Sequence, residues 1–273
     1  MAQDLIITTE GDTLNCKITK IKSGYIYFTF KHKDEIRNTL LPDNQVKSYQ
    51  LKYYQAAEVP EKTVKSKEIY PRFRGAINGG WSYRTAKVSD NTPSGLEQYM
   101  NNLKSGFHYG LDGAYYFSEL LGVGIKYNNF NSKNKMDDIQ LRFSDGTYVN
   151  GELSDNISIN FIGSFFSMRF LNSTKQNCFL INWGMGYLGY YDKAVLIDNY
   201  SMSGSTFGVT LDIGYDIGLS KNLALGLQLS YTSGTLTQYK LTQGGFSQTV
   251  KLKSENYENL SHINLSIGLR FNQ

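Results

Sequence analysis

The sequence predicts an all-β chain in two parts, a small domain of about five short strands followed by an eight-stranded antiparallel barrel. Three observations predict it. Before Tyr54, short apolar runs are separated by turn residues; after Phe73, the runs lengthen and alternate strictly in polarity; and the connections between the long runs are alternately long and short.

The first part comprises Leu5 to Thr9, Leu14 to Lys22, Tyr25 to Lys31, Glu35 to Leu40 and Gln45 to Tyr53. Gly11-Asp12, Ser23-Gly24, Lys33-Asp34 and Pro42-Asp43-Asn44 supply the turns between them. Five strands in so short a block suggest a small SH3-like or Sm-like barrel over residues 1–54. Residues 55–71 carry Pro60 and Pro71, are polar and charged, show no apolar period, and read as a linker.

Residues 72–273 hold eight alternating runs. The first carries Phe73, Ile77, Trp81 and Tyr83, and the second Phe107, Tyr109, Leu111, Tyr115 and Phe117. The third has Leu121, Val123, Ile125 and Tyr127, and the fourth Ile157, Ile159, Phe161 and Phe165. The fifth runs from Phe179 to Tyr191, the sixth from Phe207 to Ile217, the seventh from Leu223 to Tyr231 and the eighth from Ile263 to Phe271. Runs of about 10 residues suit a tilted strand that crosses a bilayer. Thr85 to Lys104, Asn131 to Asp155, Asp192 to Ser205 and Thr235 to Asn259 read as long loops at one end. Ser118 to Leu120, Leu171 to Asn177 and Gly218 to Asn222 read as short turns at the other.

Volume decides which parity faces outward. An interior of eight strands admits roughly one set of ordinary side chains, so the bulky parity must face out, toward lipid. The opposite parity is rich in glycine, including Gly80, Gly124, Gly226 and Gly268, interspersed with polar residues such as Asn160 and Asn182. A polar lumen network of Arg74, Asp112, Lys126, Asp212, Asp216 and Arg270 is expected there; with Arg72 the cations and anions nearly balance, as paired interior charges should. Aromatic residues at both strand ends fit the two membrane interfaces.

Composition excludes other classes. A net charge of +4 without a dense basic run gives no nucleic-acid footprint. No run of about 18 apolar residues offers a transmembrane helix, a test to which barrel strands are blind. Met1 leads directly into Ala2-Gln3-Asp4 and an alternating run, the start expected of a mature secreted chain. Two cysteines are too few for a disulfide framework. Cys16 shares an apolar parity with Leu14 and Ile18 and is expected to be a buried thiol; Cys178 opens the fifth run, so a bridge between them is the alternative.

With its final strand His262-Ile263-Asn264-Leu265-Ser266-Ile267-Gly268-Leu269-Arg270-Phe271, strand count and loop rhythm, the chain resembles the eight-stranded OmpA/OmpX-like outer-membrane barrels of the Bacteroidetes type, over residues 72–273. The resemblance implies a Gram-negative outer-membrane location, periplasmic turns and extracellular loops. Asp4-Leu5-Ile6-Ile7 with Gly11-Asp12 is similar to small periplasmic β modules of such bacteria.

The function expected is non-enzymatic: a barrel that anchors a periplasmic module and presents extracellular loops for binding, as a receptor or as an accessory subunit of a larger outer-membrane complex. Its expected partners are outer-membrane lipid, lipopolysaccharide and a protein, with no cofactor, metal or nucleic acid. Two alternatives stand beside it. Some barrels of this size act on lipid A with His, Ser and an acid; here His108 and His262, near Ser105, Ser261, Glu255 and Glu258, would form a loop-end hydrolase site for lipid A or peptide. The other alternative is a narrow pore.

The long loops carry two further readings. Ile139 to Leu153, around Ser144-Asp145-Gly146, and Leu236 to Leu252, around Gln243-Gly244-Gly245, read as protruding hairpins. Thr92 to Lys104 reads as a short helix, with Thr92 as cap, Pro93 at the first position and Gly106 as stop. Leu96, Tyr99, Met100 and Leu103 form one apolar stripe on it, a docking surface for the barrel rim or for a partner.

Overall fold

A computed structural model describes residues 3–33, 35–54, 70–88, 93, 95–142, 146–172, 174–220 and 222–273. Asp34, most of the linker, the Thr92 cap and the Ser144-Asp145 turn lie outside the described residues. The chain divides into two units, Met1–Ile69 and Tyr70–Gln273.

The first unit is one antiparallel sheet of β1 (Gln3–Thr8), β2 (Thr13–Lys22), β3 (Tyr25–His32), β4 (Glu35–Pro42) and β5 (Val46–Tyr54), in the order β4-β3-β2-β1-β5. A single 3-10 turn, Asp43–Gln45, joins the last two strands. Ile6, Cys16, Ile26 and Phe28 form the core, so the Cys16 thiol is buried and free. Asp4 is buried at the centre of the sheet and serves two irregularities. Its carboxylate accepts the Ile18 N–H at 2.8 Å, where β2 carries an extra residue against β3. It also accepts the Lys52 N–H at 2.9 Å, where β5 bulges against β1 and Lys52 takes φ +55°. Bulges free backbone donors, and one buried carboxylate satisfies both here.

The second unit is a closed ring. Its strands are β6 (Phe73–Arg84), β7 (Ser105–Tyr116), β8 (Leu121–Arg142), β9 (Tyr148–Leu171), β10 (Cys178–Leu196), β11 (Asp198–Gly218), β12 (Leu223–Ser233) and, after the short β13 (Thr235–Leu236), β14 (Gln238–Gln243), β15 (Phe246–Lys251) and β16 (Glu258–Asn259), β17 (His262–Asn272). β6 to β12 pair in sequence, β17 pairs with β12, and the β17–β6 pairing closes the barrel. β14 and β15 form a hairpin attached to β11, turning at Gly244-Gly245 with both φ angles positive.

Every ring strand contributes exposed apolar side chains, among them Ile77, Leu111, Ile125, Ile162, Trp183, Phe207, Leu227 and Leu265. The outer surface is therefore apolar all round, the inverse of a water-soluble barrel.

Three expectations are corrected. In β9, Ile157, Ile159, Phe161 and Phe165 point inward and are buried, while Ile162, Phe166, Met168 and Phe170 form its outer face. Both parities of this strand are apolar, so alternation alone could not orient it; Asn160 accordingly leaves the lumen and accepts the Tyr127 hydroxyl at 2.8 Å. Two of the long loops are strand extensions: β8 and β9 stay paired to Arg142 and Tyr148, so the hairpin expected over Ile139 to Leu153 continues the barrel strands, and β10 and β11 stay paired to Leu196 and Asp198. The interior is not polar throughout. Toward the loop end Phe130, Ile157, Ile159, Phe161, Leu188, Tyr190, Leu236 and Leu260 make an apolar plug.

Candidate functional site

The turn-end half of the interior holds the charges that parity placed there. Arg74 Nε lies 2.7 Å from Asp216 and its Nη1 2.8 Å from Asp112, which also accepts Asn78 Nδ2 at 3.1 Å. Arg270 Nε reaches Asp216 at 3.2 Å, and Lys126 Nζ reaches Asp212 at 2.5 Å. All six residues are buried. Glycine makes room for them: a Cβ on Gly226 would stand 2.3 Å from Arg270 Nε. A buried charge without a partner is costly, and these are paired across the lumen.

Two cations are placed differently from the sequence reading. Arg72 is exposed and lies outside the network. Arg169 is buried instead, with its guanidinium 3.5 Å from the Tyr116 ring centroid and bonds to the carbonyls of Glu119 and Pro71. The inverted parity of β9 hid it.

At the loop end, α1 spans Glu97–Asn102, shorter than the stretch expected, and Gly106 lies inside β7 rather than stopping the helix. The stripe splits. Tyr99 and Leu103 are buried in the apolar plug, Leu96 is half-buried, and Met100 is exposed. Tyr99 Oη donates to Asp155 and Asn134 Nδ2 donates to the Tyr99 carbonyl at 2.9 Å, so β8 and β9 hold the helix on the barrel mouth. Beside it a cleft of about 530 Å³ is lined by Arg84, Met100, Lys104, Tyr257 and Glu258.

His108 and His262 do not hydrogen-bond to each other. His262 stacks on Phe130 at 5.3 Å and its Nδ1–H donates to the Leu260 carbonyl. His108 sits between two serines, 2.8 Å from Ser82 Oγ and 2.8 Å from Ser266 Oγ. The first distance matches a nucleophile–base pair, but the proton has the wrong place. Ser82 gives its hydrogen to Asn264 Oδ1 at 2.5 Å, so His108 Nδ1–H donates to Ser82 and Nε2 accepts from Ser266. Ser82 is fully buried, and among the described residues no carboxylate hydrogen-bonds to the ring. Ser105 instead accepts Trp81 Nε1–H, Ser261 contacts Ser233, and Glu258 pairs with Arg84. Among the described residues no group of three His, Cys, Asp or Glu could hold a metal. Cys178, like Cys16, is a buried free thiol.

No family model and no curated protein matches the chain. Similar solved structures include a major outer membrane protein from Thermus thermophilus, at 13% identity and TM-score 0.48, over 74% of this chain and 99% of that one. Neisserial surface protein A is similar at 12% identity and TM-score 0.43, over 74% of this chain and 97% of that one. The outer membrane protease OmpT from Escherichia coli is similar at 8% identity and TM-score 0.44, over 100% of this chain and 92% of that one.

Proposed function

We propose that the chain is a Gram-negative outer-membrane barrel of the OmpA/OmpX-like, Bacteroidetes type, non-enzymatic, that anchors a small periplasmic β unit and presents extracellular hairpins to a protein partner as an accessory subunit of a larger outer-membrane complex. The observation that carries the reading is the pairing of an apolar belt on every ring strand with an interior filled by ion pairs below and an apolar plug above. Such a barrel is stable in hydrocarbon, where closure leaves no sheet edge unpaired. Lipid and lipopolysaccharide would contact the belt.

Chain direction supports the topology. Phe73 begins β6 and Gln273 follows β17 at the end of the short turns, the side that faces the periplasm in such barrels. The strand order β4-β3-β2-β1-β5, with a 3-10 turn before β5, supports an SH3/Sm-like reading of the first unit. The hairpin β14–β15 turns beside Phe246, 85% exposed, and among the described residues β15 pairs on one side only, with β14, leaving an edge suited to a partner strand.

The test is expression in a Gram-negative host. The protein should fractionate with the outer membrane, shift in gel mobility on heating, and co-purify with a stoichiometric protein from native membranes. A soluble chain would refute the barrel assignment; hydrolysis of lipid A or peptide that His108→Ala abolishes would refute the non-enzymatic one.

A further inference from the structure

Asp155 on β9 and Asp192 on β10 meet at the loop end, one level above the aromatic residue Tyr191 and beneath helix α1. Asp192 is 1% exposed. Its Oδ1 accepts the Asn156 N–H at 3.0 Å and its Oδ2 the Tyr190 hydroxyl at 3.3 Å. Asp155 Oδ2 accepts the Tyr99 hydroxyl from α1 at 2.5 Å. Asp155 stands opposite Ala194 and Asp192 opposite Ile157, so the two carboxyls are diagonal neighbours on one inward face of the paired strands.

No cation relieves this pair among the described residues. Tyr200 of β11 faces both carboxyls and Tyr239 of β14 faces Tyr200, and neither tyrosine is a cation. Arg84 of β6 and Glu258 face Tyr190, but they are paired to each other at 2.5 Å. Lys135 of β8 is engaged by Asp137 and Glu152, and Lys193 lies exposed on the opposite parity of β10. On β8 the register partner of Asp155 is Asn134, held on the Tyr99 carbonyl, and Lys133 lies exposed on the opposite parity.

We propose that the Asp155–Asp192 pair is a proton-operated latch, in which one shared proton holds α1 down on the barrel mouth through Tyr99 and its loss releases the helix. With the proton, the site carries one charge over two neighbouring carboxyls. Without it, two like charges stand side by side, Asp192 buried and Asp155 half-buried, and water must enter to relieve them. Tyr99 covers that site, so entry of water lifts it. The helix has one turn and a half, too short to persist undocked, so its backbone opens with it.

Burial first, and Asp155 second, push the Asp192 carboxyl up to about 7. The docked helix therefore binds a proton that the released form gives up nearer the ordinary carboxylate range. Docking is strongest in acid, weakens as pH rises toward 7, and is level above it. The latch therefore loosens across mildly acidic pH, up to about 7.

Hydrogen exchange on the full-length folded barrel, corrected for intrinsic rates, tests this. The amides of Met100 and Leu103 bond to the Leu96 and Tyr99 carbonyls and report the docked helix. Between pH 5 and pH 7 their protection should fall at least tenfold, with a ceiling of about 100-fold for one proton over two pH units, while β12 amides stay unchanged. In Asp192→Asn, a neutral amide that can donate to Asp155, protection should stay at the acid level throughout. Should that variant fail to show heat-shifted mobility, Asp155→Asn takes its place with the same expectation. Protection in the parent protein that does not change with pH, or a fall that survives both substitutions, overturns the latch.

Discussion

Arg74 Nε on the first strand of the barrel lies 2.7 Å from Asp216 Oδ2 on the sixth, so a single ion pair crosses the interior. The same guanidinium holds Asp112 on the second strand, and Arg270 on the last joins from the side. The two contacts to Asp216 tie β11 to β6 and to β17, strands with which it shares no backbone hydrogen bonds. Replacing Arg74 with Met should leave Asp112 and Asp216 without their common partner and cost about 3–5 kcal/mol. Urea unfolding of the barrel in detergent or lipid measures it; a loss below about 1 kcal/mol would make the network dispensable.

A filled interior does not conduct. The protein reconstituted in planar bilayers should show no steady single-channel current at neutral pH, because ion pairs close the turn end and Phe130, Phe161 and Leu188 close the loop end. A reproducible conductance altered by Asp112→Ala would establish a pore instead.

Much of the barrel is legible in the sequence, because in β6, β7, β11, β12 and β17 bulky and small residues alternate without conflict. The volume argument then sets Leu227 and Ile267 outside and Asp212 and Arg270 inside, where they are found. Legibility fails where both parities are apolar. β9 offers Ile157, Ile159 and Phe161 on one face and Ile162, Phe166 and Phe170 on the other, and only the packing of the plug decides between them. Arg169, on the inward face of the same strand, is hidden for the same reason. The meeting of Asp155 with Asp192 depends on the paired extension of β9 and β10 beyond the membrane-length runs, which polar composition disguised as loops. The role of Asp4 depends on two bulges that no residue pattern announces.

Asp4 offers a separate test of the first unit. Asp4→Ala leaves the Ile18 and Lys52 amides without an acceptor in the middle of the sheet, and a loss of about 2–4 kcal/mol is expected. The unit should become susceptible to limited proteolysis while the barrel keeps its heat-shifted mobility. Equal resistance in parent and variant would contradict the assignment.

The lipid-facing belt sets a depth-dependent penalty. Leu227→Arg, near the middle of β12, should cost about 2–4 kcal/mol, and Leu223→Arg at the turn end about 0–1 kcal/mol. Equal effects at the two positions would mean that the belt does not sit in hydrocarbon.

Both native thiols should be silent toward reagents. Cys16 is buried, which, with Asp4 beside it, pushes its thiol up to about 12, so almost no thiolate exists at pH 8. Cys178 is buried in the barrel wall. An impermeant maleimide should label neither in the folded protein and both after denaturation. Labelling of the folded parent would show that one of these sites opens.

That silence allows the central claim, a barrel spanning the outer membrane with its hairpins outside, to be tested in place. Single cysteines at Asn199, on the exposed tip of the β10–β11 hairpin, and at Asn222, in the short turn before β12, are exposed in the folded unit. On intact cells the impermeant maleimide should label Asn199→Cys and leave Asn222→Cys unmodified until the outer membrane is permeabilised. Labelling of Asn222→Cys alone would invert the topology, and equal labelling of both only after lysis would contradict a surface-exposed barrel.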